Sequence, residues 1–146
     1  MLLRQIGIVA FVASCVWASS QVGHAATDLR NPGVIRVTSR EVTSVSHGGT
    51  DITRLKLYNR RITRKAIGRG VLVCVSVGGA ERSCTGTFAL PRGKIIVGGT
   101  VFGISKISNL AVLGGTGLYD NVRGQLTVTA LGGRPPSHLL LFRLEV

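Results

Sequence analysis

Few side chains in this sequence could do chemistry, and they lie far apart. Three carboxylates at predicted turns and strand ends could give or take a proton: Asp51, Asp120 and Glu145. Carboxylates in such places are more often solvated or paired with arginine than catalytic. Tyr119 and Arg123 supply a phenol and a guanidinium, which together can orient a small oxygenated ligand. Asp51, Tyr119 and Arg123 are therefore the candidates for a catalytic role; in the structural alternative Tyr119 plugs one end of the fold and Arg123 pairs with Asp120.

The motifs of several common enzyme classes do not occur in the chain. The glycine-rich run at positions 114–117 lacks the Lys-Ser/Thr ending of a P-loop, and Asp120 stands where a dinucleotide fingerprint needs glycine. Neither a Gly-x-Ser-x-Gly elbow nor a His-Glu-x-x-His pair is found, so hydrolase mechanisms based on them have no support. We therefore interpret positions 114–117 as a turn between strands, and we expect no cofactor.

The first 25 residues have the composition of a secretory signal peptide. A short basic start ending at Arg4 precedes an apolar run at 6–18, and Gly23 and Ala25 are small residues suited to cleavage after Ala25. About 13 apolar residues are too few for a retained membrane-spanning anchor. Residues 12–15 also resemble a lipoprotein cleavage box, which would make Cys15 the lipidated first residue. We expect a secreted or cell-wall-associated protein with one domain at 26–146.

Two cysteines, Cys74 and Cys84, remain once the signal peptide is removed. An even pair in an exported chain is typical of a disulfide. A hairpin loop at 78–80 would place Cys74 opposite Cys84, within bridging range. Two thiolates without clustered histidines cannot fill a tetrahedral zinc shell, so we expect no metal site.

Positive charge is the strongest feature of the composition, with 18 Lys and Arg against 6 Asp and Glu and a formal net charge of +12. Seven of the basic residues lie in one segment: Arg54, Lys56, Arg60, Arg61, Arg64, Lys65 and Arg69. Three interpretations stay open for this segment: a solvated face, a surface for anionic cell-envelope material, and a nucleic-acid site. Nucleic acid is the least favoured, because only Tyr58 is interleaved as an aromatic that could stack on bases.

Short β-favouring runs alternate with glycine-bearing turns along the rest of the chain. They predict eight strands, at 34–45, 52–58, 66–77, 81–90, 94–102, 107–113, 122–131 and 137–146. No stretch shows helical periodicity over ten or more residues. We therefore predict an all-β protein, an eight-stranded antiparallel up-and-down β-barrel, because closure removes the edges that an open sheet would expose. Such a barrel is filled by side chains or holds one small ligand.

Two segments resemble the dirigent proteins and the allene oxide cyclase barrel-like superfamily, particularly its small exported bacterial members. They are residues 88–95, Phe-Ala-Leu-Pro-Arg-Gly-Lys-Ile, and residues 113–124, Leu-Gly-Gly-Thr-Gly-Leu-Tyr-Asp-Asn-Val-Arg-Gly. The resemblance covers the chain from about Leu57 to its end. It implies an eight-stranded barrel with an apolar central cavity, no cofactor, and trimers as in many plant relatives. Plant dirigent proteins steer the coupling of phenoxy radicals, and allene oxide cyclases close a fatty-acid epoxide.

The resemblance extends to a few individual residues. The arginine of the family's Ala-Arg-Gly motif matches Arg123, with Val122 in place of alanine, which implies that Arg123 faces the cavity. Leu118 replaces the acid that plant dirigent proteins place after Gly-Thr-Gly, and Asp51 is the nearest match to their N-terminal acid. This departure puts an acid-assisted dirigent mechanism in doubt.

Alternation in the seventh strand gives it an apolar face and a polar face. The apolar face has Val122, Leu126, Val128 and Ala130, and the polar face has Arg123, Gln125, Thr127 and Thr129. Composition favours the apolar set inside, and the resemblance is compatible with this if a bulge near the barrel mouth turns Arg123 inward. We therefore expect a ligand to contact Arg123 at the mouth, with Tyr119 nearby and Phe88 and Phe102 lower in the wall.

Two functions from different classes fit these observations. The first is a secreted barrel that binds a small hydrophobic or phenolic molecule and directs its coupling or cyclisation by shape, with catalysis left open. The second is a non-catalytic secreted protein that adheres to anionic cell-envelope material through its basic segment. A wide, open cavity with Arg123 inside favours the first function, and a barrel packed solid by its own side chains favours the second.

Overall fold

The computed structural model describes residues 33–59, 61–62, 65–103 and 105–146. The predicted signal peptide and Cys15 lie outside these ranges. The described chain forms eight strands: β1 Gly33–His47, β2 Thr50–Asn59, β3 Gly68–Gly78, β4 Glu81–Leu90, β5 Gly93–Phe102, β6 Ile107–Gly117, β7 Arg123–Gly132 and β8 Ser137–Glu145. Within the same ranges no helix is long and apolar enough to cross a membrane.

The eight strands close into one barrel in chain order, and every neighbouring pair is antiparallel. The predicted up-and-down barrel is confirmed. Its closing seam pairs the first strand with the last, from Gly33 opposite Leu144 to Arg40 opposite Ser137. This seam gives the edges of β1 and β8 partners, which an open sheet would leave exposed.

Alternation along each strand decides which side chains face the interior of the barrel. On β5, Ile95 and Val97 are fully buried, and on β7 Leu126 is fully buried, so the apolar face of β7 points inward as its composition indicated. Phe88 of β4 packs edge-to-face on Phe142 of β8, with ring centroids 5.4 Å apart. This aromatic contact lies in the barrel core and joins β4, from the middle of the chain, to β8 at its end.

The sixth strand is longer than the sequence indicated. β6 continues beyond Leu113, which is left unpaired by a bulge, and positions 114–117 pair with positions 93–96 of β5. Our interpretation of 114–117 as a turn was therefore wrong, and the turn to β7 lies at 118–121. The reason is close approach: a Cβ atom on Gly115 would collide with the backbone oxygens of Lys94 and Tyr119. Glycine there lets Tyr119, only 6% exposed, pack over one end of the barrel.

The predicted disulfide between Cys74 and Cys84 is confirmed, and the two residues are direct cross-strand partners of β3 and β4. The hairpin differs slightly from the expected three-residue loop. Gly78 pairs with Glu81 around a two-residue turn, and Val77 is the extra residue of a bulge. The bulge compensates for the shorter turn, so the register from Ser76 onward is the one that the sequence predicted.

Replacing both Cys74 and Cys84 with alanine should lower the free energy of unfolding by about 3 kcal/mol, because the bridge closes a short loop in the unfolded chain. Urea denaturation would measure this loss. The wild-type protein in dithiothreitol should unfold like the double variant, and the double variant should not respond to the reductant. Two free thiols, found by alkylating the denatured but unreduced protein, would contradict the assignment.

Candidate functional site

A cavity of about 290 Å³ opens at one end of the barrel. It lies at the end that carries the β1–β2, β3–β4 and β7–β8 turns, and we call this end the open end. The opposite end, which Tyr119 covers, is the closed end. The volume is near the lower limit for ligand pockets, which corresponds to a molecule of one or two rings.

The inner part of the cavity is apolar. Its lining is formed by inward side chains from six strands: Leu55, Leu72, Phe88, Leu110, Val128 and Leu140. Each belongs to the inward-facing set of its own strand, and the buried members of this set continue below as the barrel core. An apolar floor of this kind binds hydrocarbon or ring surface by excluding water.

The outer part of the cavity is a polar rim. It is lined by Ser39, Glu41, Ser44, Ser46, Asp51, Thr53, Arg82 and His138. A bulge between Glu41 and Thr43 of β1 changes which residues face inward, so that both Glu41 and Ser44 reach the cavity. The backbone N–H of Glu41 donates to the carbonyl oxygen of Pro136 over 2.9 Å, which ties the bulge to the β7–β8 turn.

Asp51 is held on both sides within this rim. The hydroxyl of Ser46, its direct partner across the β1–β2 hairpin, donates to one carboxylate oxygen, and the Arg82 guanidinium contacts the other. The Asp51 side chain is 16% exposed and that of Arg82 is 40% exposed. The hydrogen bond from Ser46 is the largest effect and lowers the pKa of Asp51; burial opposes it, and the charge and hydrogen bond of Arg82 lower this pKa further. Asp51 is therefore an ionised acceptor at neutral pH.

His138 supplies a second titratable group, on β8, which adjoins β1 on the side away from β2 and Asp51. It stands at the start of β8 as the register partner of Ser39, whose hydroxyl donates to the His138 carbonyl over 3.4 Å. Burial lowers the pKa of His138 from its ordinary value, while the carboxylate of Glu41 acts in the other direction. The imidazole is accordingly neutral at pH 7, so it can either accept or donate a proton.

The disulfide braces the strands that carry the acid and the arginine. Asp51 is the register partner of Cys74, and Arg82 is two residues from Cys84 on the same face of β4. The bridge thus links the strand next to Asp51 with the strand that bears Arg82. Among the described residues no group of three or more His, Cys, Asp or Glu side chains could hold a metal ion.

The structure brings two of the candidate residues to this cavity, Asp51 and Phe88. Tyr119 is buried at the closed end, where burial raises the pKa of its phenol and the nearby Arg92 charge lowers it by a smaller amount. Tyr119 thus plugs one end of the barrel, which was the predicted alternative to a catalytic role. Tyr119 therefore lies at the end of the barrel opposite the rim.

The position that we expected for Arg123 is wrong. Arg123 is exposed at the closed end and lines a shallow surface groove with Asp120 and Asn121. The register of β7 against β8 runs without a shift from Arg123 to Ala130, so the bulge that would turn Arg123 inward does not occur. Because Leu126 faces inward, Arg123 faces outward by alternation. A role of Arg123 in ligand binding stays an untested prediction.

Phe102 also lies outside the cavity, contrary to the expectation. It is 61% exposed at the end of β5. Ile95 and Val97 set the inward face of this strand, and Phe102 has the opposite parity.

Three ionisable residues of the rim were not candidates from the sequence: Glu41, Arg82 and His138. A signal existed only for Arg82, because the predicted β3–β4 hairpin places it on the face of Cys84. Glu41 reaches the rim through a bulge, which no residue pattern marked. His138 reaches it through the seam between the first and last strands, which local pairing does not predict.

Comparison with solved structures finds this barrel in several proteins. A pyocyanin demethylase matches with a TM-score of 0.64 at 19% identity, over 77% of this chain and 99% of the other. A pterocarpan synthase dirigent protein matches with a TM-score of 0.62 at 11% identity, over 76% of this chain and 84% of the other. A Diels Alderase from Streptomyces koyangensis matches with a TM-score of 0.52 at 13% identity, over 75% of this chain and 68% of the other.

No family model and no curated protein sequence matches the chain. The identities to the solved structures are low, so the likeness establishes the fold. The chain has the barrel fold of the dirigent proteins and their structural relatives, as its two glycine-bearing motifs indicated.

Proposed function

We propose that this protein binds a small, mainly apolar molecule with one oxygen function and guides its coupling or cyclisation without a cofactor. The observation that carries the proposal is the division of one cavity into an apolar floor and a polar rim with ionisable groups. A ring or hydrocarbon body fits the floor, and a phenolic or carbonyl oxygen would then lie at the rim. Such a cavity fixes both the position and the orientation of its ligand.

The rim has the groups that proton transfer requires. Arg82 would donate to the ligand oxygen and stabilise negative charge that develops there, because a guanidinium has donors beyond those used by Asp51. The neutral imidazole of His138 would accept a proton from a phenol or an enolisable carbon. Asp51, already ionised, would keep Arg82 in place. The floor would exclude water and hold the reacting conformation.

The structural relatives support this kind of function. Two of them are named for reactions that build products, a pterocarpan synthase of the dirigent type and a Diels Alderase, and a third is a demethylase. These activities are those of the relatives, and because one fold hosts many functions, the proposal for this chain rests on its own cavity and rim. Export of the protein is part of the same proposal, because the signal-like residues 1–25 precede the barrel.

The alternative function, adhesion of a non-catalytic protein to anionic envelope material, has support of its own. The described basic residues of the segment are all exposed: Arg54, Lys56, Arg61, Lys65 and Arg69. The barrel is not packed solid at its open end, which favours the ligand-binding function. The two functions occupy different parts of the molecule, so each has its own test.

Leu72→Phe should abolish or weaken ligand binding, because the added ring would occupy the cavity that Leu72 lines. Isothermal titration with 1-naphthol as the probe should give a Kd raised roughly tenfold or more. Val71→Phe is the matched control, since Val71 is the next residue but faces outward. Equal affinity of both variants and the wild type would contradict a ligand site in this cavity.

Arg82→Gln should weaken binding of 1-naphthoate, an anionic probe, by roughly tenfold to a hundredfold, because a charge-assisted hydrogen bond is lost. Arg123→Gln removes the same charge at the closed end and should leave the Kd within about twofold. Titration of both variants with the same probe separates the two ends of the barrel. If only Arg123→Gln lost affinity for 1-naphthoate, the ligand site would lie at the closed end and the proposed site would be wrong.

The neutral state proposed for His138 predicts a loss of stability in acid. Its folded pKa lies below the value of about 6.5 in the unfolded chain, so the unfolded chain takes up a proton first as the pH falls through that value. The Tm should therefore fall as the pH drops below about 6.5, and His138→Gln should reduce this fall. His47→Gln, at an exposed histidine, should not. Parallel Tm–pH curves for wild type and His138→Gln would contradict the buried neutral imidazole.

A further inference from the structure

Three cations lie side by side on the outer wall of the barrel. Arg40 of β1 is the register partner of Lys56 of β2, and Lys56 is the register partner of Arg69 of β3. All three side chains are exposed. We call Arg40, Lys56 and Arg69 the cationic ladder. Adjacent strands are about 4.8 Å apart, so the Cα atoms of the three ladder residues lie within about 10 Å of one another.

The ladder is not explained by the folding of the barrel. Like charges directly opposite each other on neighbouring strands destabilise a sheet. The described acidic side chains do not neutralise it: Glu41 and Asp51 face the cavity, and Glu81, Asp120 and Glu145 lie at other turns and strand ends. Arg54, exposed on the same face of β2 two residues before Lys56, adds a fourth positive charge. An anionic partner that covers this wall would relieve the repulsion.

Apolar side chains adjoin the ladder on the same three strands. They are Val45 at 55% exposure, Ile52 at 40%, Val71 at 39% and Val75 at 43%. Val45 and Ile52 are cross-strand partners, and together with Thr43 and Arg54 they line a shallow external groove. The wall formed by β1 to β3 is thus cationic toward the closed end and apolar toward the open end.

We propose that this β1–β3 wall docks on a membrane surface of anionic phospholipid. A flat surface touches a convex barrel over a narrow arc, and the cationic ladder and the four apolar side chains beside it share one such arc on three neighbouring strands. Cations would contact the lipid phosphates while the apolar side chains reach the boundary between headgroups and acyl chains. A soluble polyanion would use the cations alone, so the adjoining apolar group favours the lipid surface.

Docking by the wall leaves the cavity accessible. The cavity opens at the end of the barrel, whereas the ladder lies on its side. The barrel would lie along the surface with its open end beside the membrane, where an apolar ligand dissolved in the lipid would be close. The proposal does not depend on the proposed function of the cavity, and the two have separate readouts.

Co-sedimentation with vesicles tests the proposal. The protein should bind vesicles of phosphatidylcholine with phosphatidylglycerol, bind phosphatidylcholine alone weakly, and be released by about 0.5 M salt. The triple variant Arg40→Gln, Lys56→Gln, Arg69→Gln should lose roughly a hundredfold in affinity, since each cation near an anionic surface contributes about 1 kcal/mol. The control Arg123→Gln, Arg134→Gln, Arg143→Gln removes three exposed cations elsewhere and should lose far less.

A second pair of variants distinguishes a lipid surface from a soluble polyanion. Ile52→Thr with Val71→Thr keeps every charge but removes apolar surface, so it should weaken vesicle binding several-fold and leave binding to soluble polyphosphate unchanged. Unchanged vesicle binding by this variant would overturn the lipid assignment in favour of a polyanion. An equal loss in the two triple variants would overturn the ladder as the site, because net charge alone would then explain binding. Circular dichroism should show the same barrel in all variants.

Discussion

Closure of the sheet through the seam between β1 and β8 is the constraint on which the rest of the molecule depends. The seam joins residues about a hundred positions apart in the chain, such as Ser39 and His138. Once it forms, every strand has partners on both sides, and the parity of each residue decides whether it faces the interior or the solvent. The cavity, the rim and the outer wall all follow from this division.

The two ends of the barrel are built from different kinds of sequence. The segments that carry the family resemblance, 88–95 and 113–124, form the β4–β5 and β6–β7 connections at the closed end. Glycines at 93 and 115 allow backbones to approach closely there, and Tyr119 packs over them. The motifs are therefore recognisable because their glycines and Tyr119 are needed to cover the closed end of the barrel. The ionisable rim lies at the open end, where proteins with the same fold are free to differ in sequence.

This separation explains what the sequence could predict. Strand positions, closure and the bridge between Cys74 and Cys84 follow from alternation, turn residues and a single hairpin, which are local patterns. The rim requires the register of strands joined by longer connections, and it requires the seam. The predicted cavity positions of Arg123 and Phe102 were wrong for a related reason. Alternation along β7 and β5 decides which side chains face inward, and neither the family resemblance of Arg123 nor the aromatic ring of Phe102 changes it.

A single inserted residue, Val42, connects the interior of the molecule with its outer wall. Before the bulge the odd-numbered residues Ser39 and Glu41 face inward, and after it Ser44 and Ser46 do. Without the insertion Ser46 would face solvent, Asp51 would lose its hydroxyl donor, and Val45 would stand in the rim instead. The bulge therefore places a polar side chain beside the acid and at the same time turns an apolar side chain outward next to Ile52. The composition of the cavity rim and that of the β1–β3 wall are consequently set by the same local irregularity in β1.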